Sequence, residues 1–255
     1  MRVVVHPIGE VGRRAVRVLQ AEQTITEVAV WRTEEPGPRV RVVDEIDGYD
    51  VVVTDLHEPD ELAGLCLEAG AALVTPVSWG DEPAGQFADA GLSLIVGANI
   101  ETGIAAGLAL QEAALMDTPL EVRIAWTVAG RPRRRGEPIP FPGPIGSLWA
   151  REVDPQGWTD TNIPVQAFEA PVEGEWAGAM AQVSGALDDG VQRTIVGVAD
   201  HKGYLAAIAL SSAVVPAGQH TYPPGRSWAS AAPTPYLDRA LAAGLDVASF
   251  HETTA

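Results

Sequence analysis

Three stretches of this sequence set side chains and glycines in patterns that could do chemistry. The first is Pro7-Ile8-Gly9-Glu10-Val11-Gly12. It follows the β-branched run Val3-Val4-Val5 and opens a stripe of Val11, Ala15, Val18 and Leu19 at i, i+4, i+7, i+8. A strand buried on both faces, a glycine turn and a helix bring unpaired N–H groups and a positive dipole end to one point, which suits a phosphate. The second stretch is Asp200-His201-Lys202-Gly203, with the chain's one lysine and one of its five histidines. His201 and Lys202 are of the types that donate a proton to a reacting carbonyl or imine. Asp200 equally suits a helix N-cap, and Lys202 a solvated charge. The third is Gly130–Ala150, which collects Arg131, Arg133, Arg134 and Arg135 ahead of a run of prolines and glycines. As a flap over a cleft, Arg133 and Arg134 would bind a carboxylate or phosphate, with Trp149 as an anchor. As a solvated loop, or an arm on a second subunit, it would bind no small molecule.

The elements that must position these groups follow from apolar patterning. Gly9-x-x-Gly12 supplies the two later glycines of a dinucleotide-binding turn, while His6 or Pro7 replaces the first. Glu10 sits where a phosphate would approach and repels it unless it points away; it equally suits the helix dipole. A second strand is expected at Glu27–Trp31, and Trp31-Arg32-Thr33 beyond it bears on the cofactor. Arg32 with Thr33 favours a 2′-phosphate, and Trp31 or Arg32 would stack on adenine. A surface turn of mixed charge is the alternative. Further strands are expected at Arg39–Ile46, Asp50–Asp55, Ala72–Val77 and Leu92–Val96, with helices at Pro59–Ala69 and Pro83–Ala90. Ligands gather at the carboxyl ends of parallel strands, so Thr54, Asp55, Leu56, Thr75 and Pro76 are cofactor candidates. Asn99, in Gly97–Ile104 ahead of an apolar helix over Ala105–Met116, suits cofactor contact or capping. Cys66 faces inward as core.

The second half alternates differently. Leu120–Val128 places Val122, Ile124, Trp126 and Val128 on one face. Gln166–Val172 is another strand, and Trp176–Leu187 and Gly190–Ala199 form a hairpin around Asp188-Asp189-Gly190. Tyr204–Val215 is an apolar helix on this four-stranded sheet. Thr221–Ser230 crosses back over the molecule, Thr234–Ala243 is a helix ended by Gly244, and Asp246–Phe250 docks near the first domain. The expected fold is α/β: an N-terminal parallel Rossmann sheet with helices on both faces (1–117), then an α+β domain with an open, mostly antiparallel sheet (118–255).

The residues of Val3–Leu19, Asp50–Asp55 and Gly97–Gly103 resemble the superfamily of Rossmann-type reductases that includes saccharopine dehydrogenase-like proteins, dihydrodipicolinate reductase and homoserine dehydrogenase. The resemblance covers the first half, and the second only in outline. The paired histidines and lysine of the dihydrodipicolinate reductases are not found. It implies an NADP (or NAD) cofactor, a small-molecule substrate between the domains and association as a homodimer. The alternative is a non-catalytic Rossmann protein that retains a nucleotide, or a structural homodimer.

Composition narrows the classes. The net charge of −17 argues against nucleic acid or an anionic membrane as partner. No apolar run reaches membrane-spanning length. One cysteine leaves neither an intramolecular disulfide nor a thiolate metal cluster, and no metal site is expected. A strand that begins at Arg2 leaves no room for a signal peptide, so a cytoplasmic protein is expected.

Overall fold

The computed structural model describes the chain except for residues 7–8, 33–39, 57–59, 79–80, 159–161, 188–189 and 255. The first half builds strands β1 (Arg2–His6), β2 (Glu27–Trp31), β3 (Arg41–Val43), β4 (Val51–Thr54), β5 (Ala72–Val74) and β6 (Ser93–Val96). Between them run helices α1 (Glu10–Ala21), α2 (Asp60–Ala69) and α3 (Asp81–Asp89). A π-helical turn, Ile100–Ala105, leads into α4 (Ala106–Ala113), in place of one α-helix over Ala105–Met116.

The second half supplies β7 (Thr118–Ala129), β8 (Glu137–Phe141), β9 (Gly146–Val153), β10 (Val165–Val172), β11 (Trp176–Leu187) and β12 (Gly190–His201). Helices α5 (Lys202–Ser212) and α6 (Val214–Gly218) follow, then β13 (Gly225–Trp228), α7 (Pro233–Ala242) and β14 (Ala248–Thr254).

One sheet has the order β13-β6-β5-β4-β1-β2-β3 and is parallel throughout. Its central strands are buried on both faces. Val3, Val5, Val51 and Val53 look into one core, and Val4 and Val52 into another with Leu62 and Cys66 of α2 and Phe87 of α3. The order reverses between β1 and β4, and their carboxyl ends frame the crevice where such sheets bind ligands. The second sheet, β14-β12-β11-β7-β10-β9-β8, is antiparallel but for the β7–β10 pair. The fold is therefore α/β with a Rossmann sheet and a second, mostly antiparallel sheet.

Three expectations are corrected. Gly130–Ala150 is not one long loop: β8 and β9 form a hairpin within it, and Ile139, Phe141 and Ala150 pack on Phe168 and Met180 on the outer face of the second sheet. Pro138 and Pro140 lie on an edge strand, where proline is tolerated; both are exposed while Ile139 and Phe141 are buried. The second sheet has seven strands rather than four. Asp246–Phe250 does not dock near the first domain, because β14 pairs along β12 from Val191–Thr254 to Gly197–Ala248.

The helix α5 joins the two sheets. Leu205, Ile208 and Leu210 are fully buried in a cluster that includes Val3, Val5 and Ala15 on one side and Val122, Ile124, Val196 and Val198 on the other. Unfolding in urea should therefore follow one transition rather than two. Ile208→Ala should lower the stability of the whole by about 3 kcal/mol while keeping the transition single; two separated transitions would mean that the sheets unfold independently.

Candidate functional site

The crevice at the carboxyl ends of β1 and β4 holds much of the expected site. Gly9 is the N-cap of α1, and Glu10 opens the helix. The Asp55 carboxylate, just past β4, reaches this turn: Oδ2 accepts the N–H of Gly12 at 3.2 Å. A Cβ on Gly9 would stand 3.0 Å from the same oxygen. Glu10 points away from the turn, its Oε1 bonded to Arg14 at 2.8 Å. Pro7, Ile8 and Thr33 lie outside the described residues.

The strand ends close themselves with local bonds. Thr54 Oγ1 accepts the N–H of Leu56 at 3.1 Å, and Thr75 Oγ1 that of Val77 at 3.4 Å. Asn99 caps the π turn: Oδ1 accepts the Thr102 N–H at 2.8 Å, while Nδ2 donates to the Pro76 carbonyl at 2.6 Å. Gly97, at φ +65°, lies so near Thr102 and Trp228 that no Cβ fits. Asn99 thus serves as the cap that was one of its two expected roles. π-helical turns are frequent at functional sites.

On the other side of β1 the His6 ring lies 4.5 Å from the Trp31 ring, and the Arg32 guanidinium lies 4.6 Å over the same indole. Trp31 is buried and donates its Nε1–H to the Asp44 carbonyl at 2.9 Å, so its ring is not free to swing onto a ligand. Arg32 is exposed and held at φ +47°. Burial and the Arg32 charge push the His6 imidazole below its usual pKa, so it is neutral at pH 7.

From this crevice a cleft of about 350 Å³ runs to the second sheet. Its walls include Glu10 and Val11 of α1, Ile100 of the π turn, Val128 of β7, Trp176 of β11 and Lys202 of α5. Lys202 Nζ donates to the Gly174 carbonyl at 3.4 Å. His201 stacks on Trp176 at 4.8 Å, with Nδ1 3.7 Å from Glu175 Oε2. Asp200 is not the N-cap of α5, which is His201; its Oδ1 accepts the His201 N–H instead.

The structure therefore brings Gly9, Glu10, Val11 and Gly12 together with Asp55, and it sets Lys202 in one cleft with Glu10 and Val11. It does not bring the whole arginine stretch there. Arg133 and Arg151 both face Glu169, Arg131 faces Glu173, Arg134 is exposed, and Trp149 is 43% exposed on β9. Trp176 and Arg14 were missed; Trp176 sits at the head of a recognisable strand, whereas the Arg14–Glu10 bond shows only as an i, i+4 pair.

A scan against protein-family models finds no match to this chain, and a search of curated proteins finds none either. Solved structures do match in shape. The chain is similar to the homospermidine synthase of Legionella pneumophila in complex with NAD, with TM-score 0.58, 10% identity and coverage of 98% of this chain and 91% of that one. It is similar to the C. glutamicum DAP dehydrogenase in complex with DAP (TM-score 0.56, 13% identity, 95% and 98% covered). It is also similar to an engineered D-amino acid dehydrogenase bound to NADP+ (0.54, 13%, 95% and 98%). The chain shares the overall fold of these structures.

Glu101, on the π turn next to the cleft residue Ile100, was also missed. Burial, and then the charge of Glu169, raise its pKa above the ordinary 4.5. A carboxyl raised in the folded state stabilises the protein below its unfolded pKa, and that contribution is lost as pH rises through the folded value. Glu101→Gln should therefore be more stable than the parent at pH 7, with the difference vanishing near pH 4. Equal urea midpoints at both pH values would show that Glu101 carries no such cost.

Proposed function

We propose that the chain is an NAD(P)-dependent oxidoreductase, acting on a small carbonyl, imine or hydroxy substrate held in the cleft between its sheets. The observation that carries this reading is the continuity of one cleft from the first turn of α1 to Lys202 at the head of α5. Three similar structures bear on it: one was solved with NAD, one with NADP+, and two are named as dehydrogenases.

The residues present fit a nicotinamide dinucleotide. The N–H groups of Glu10 and Val11, at the positive end of the α1 dipole, would hold the pyrophosphate. Arg32, exposed and stacked on Trp31, would take a 2′-phosphate, which makes NADP the preferred cofactor in this reading. When bound, the nicotinamide gives or accepts the hydride. Lys202 would then neutralise charge growing on the substrate oxygen or nitrogen and donate the proton, with His201 beside it. Apolar Val11, Ile100 and Val128 keep water from the reacting face. The protein acts in the cytoplasm as a homodimer in this reading, and no described helix is long and apolar enough to cross a membrane.

One observation favours a second reading, a Rossmann protein without catalysis. Asp55 already holds the Gly12 N–H, and its carboxylate stands beside the phosphate position. Titration with NADPH and NADH, read by energy transfer from the tryptophans, separates the two. The enzyme reading expects micromolar binding that prefers NADPH and weakens about tenfold in Arg32→Ala. Preference for NADH would remove Arg32 from the cofactor site and keep the enzyme. Absence of binding at millimolar concentration would leave the second reading.

A further inference from the structure

The first turn of α1 has no side-chain cap from its own N-cap residue, and the geometry points to Asp55 as the group that supplies one. The N-cap of α1 is Gly9, which makes no side-chain hydrogen bond to the helix. At this position a Ser, Asp or Asn side chain commonly accepts the N–H two or three residues on. Asp55 performs that service from the end of β4, because its Oδ2 accepts the N–H of Gly12, the third residue of the helix. The approach is eased by the absence of a Cβ at position 9, since a Cβ there would stand 3.0 Å from that oxygen and the carboxylate would have to give by a few tenths of an ångström. Gly9 makes room for Asp55, and Asp55 supplies the cap that Gly9 lacks.

The second glycine of a dinucleotide turn is ordinarily explained by the approach of the pyrophosphate. Here the Asp55 carboxylate crowds a Cβ at position 9 with no ligand present. The brace also selects which donors are left: with Gly12 taken, the N–H groups of Glu10 and Val11 make no hydrogen bond among the described residues. First-turn N–H groups point out along the helix axis. Asp55 is in these terms a positioning residue. It fixes the first turn of α1 from behind, so that two donors face a ligand phosphate in register. The phosphate's identity rests on the dinucleotide reading above, whereas the brace is a property of the ligand-free chain.

The test is a double-mutant cycle on the full chain with Gly9→Ala, Asp55→Ala and the pair, plus Asp55→Asn. Thermal midpoint without ligand and affinity for NADPH and NADH are the two readouts. Gly9→Ala should lower the midpoint by about 2–4 °C and weaken NADPH about tenfold. In the Asp55→Ala background the same substitution should cost nothing further in either. Asp55→Ala alone should weaken NADPH about tenfold, while Asp55→Asn, whose amide oxygen can accept the same N–H, stays within about threefold. Costs that add in full overturn the proposal, as does an Asp55→Ala protein that binds NADPH like the parent. Asp55→Asn binding about tenfold tighter also overturns it, since the carboxylate would then oppose the phosphate. If NADPH binds and the coupling is absent, the dinucleotide reading survives alone. If the midpoints couple but neither dinucleotide binds the parent or any variant, that reading and the positioning role fail together.

Discussion

A helix that is apolar on every side has to be wrapped, and the arrangement of this molecule follows from wrapping α5. From Leu205 to Ser212 every residue except Ala206 is buried. One flank lies on α1 and the other on β11 and β12. Alanines at 206, 207 and 209 keep the helix thin enough for both neighbours. Where α1 and α5 meet, Gly203 allows the Glu10 carboxylate to come close, as a Cβ there would stand 3.0 Å from Oε1. The first turn of α1 and Lys202 thus share a cleft because a core requirement brings their helices together.

Charge is then distributed around this contact. In a chain of net charge −17, the cleft carries the Lys202 ammonium, and the exposed Arg32 guanidinium lies at the crevice. Glu10, the group most adverse to a phosphate in the sequence, is turned onto Arg14. The carboxylate that does stand at the turn is Asp55, and it is engaged with a backbone N–H. A carboxylate accepting an N–H in the first helical turn gains from the dipole as well as the bond. The same field would serve an incoming phosphate, so ligand and brace draw on neighbouring donors of one helix end.

The legible parts of the fold were those decided by local patterning. Val3–Val5, Val51–Val53 and Leu94–Val96 are continuous apolar runs because central parallel strands are covered on both faces. The hairpin β8–β9 was obscured by Pro138 and Pro140, whose tolerance depends on lying at a sheet edge, a fact of tertiary pairing. β13 and β14 are short segments with little pattern, and only their partners β6 and β12 define them. In the site, the Gly9–Gly12 turn and Lys202 were legible as residue types at telling positions. Asp55 was legible as a residue at a strand end, but its object was not, because the partner N–H lies 43 residues earlier in the chain. Trp176 was legible as the head of a strand but not as a wall of the cleft, and Glu101 was not singled out, since both placements depend on how the second sheet meets the π turn.

The Trp31 side of the crevice shows how three neighbouring side chains accommodate one another. His6 covers part of the Trp31 face, and the cation of Arg32 lies over the ring as well. Two cations on one indole would repel, and the arrangement avoids this by keeping the imidazole neutral through burial and the nearby guanidinium. Arg32 meanwhile accepts a left-handed backbone, at a cost of about 1 kcal/mol, comparable to what a guanidinium gains on an exposed aromatic face. Stacking occupies the plane of the guanidinium and leaves its edge donors for an anion. His6 therefore helps to fill the surface on which the exposed Arg32 guanidinium is held.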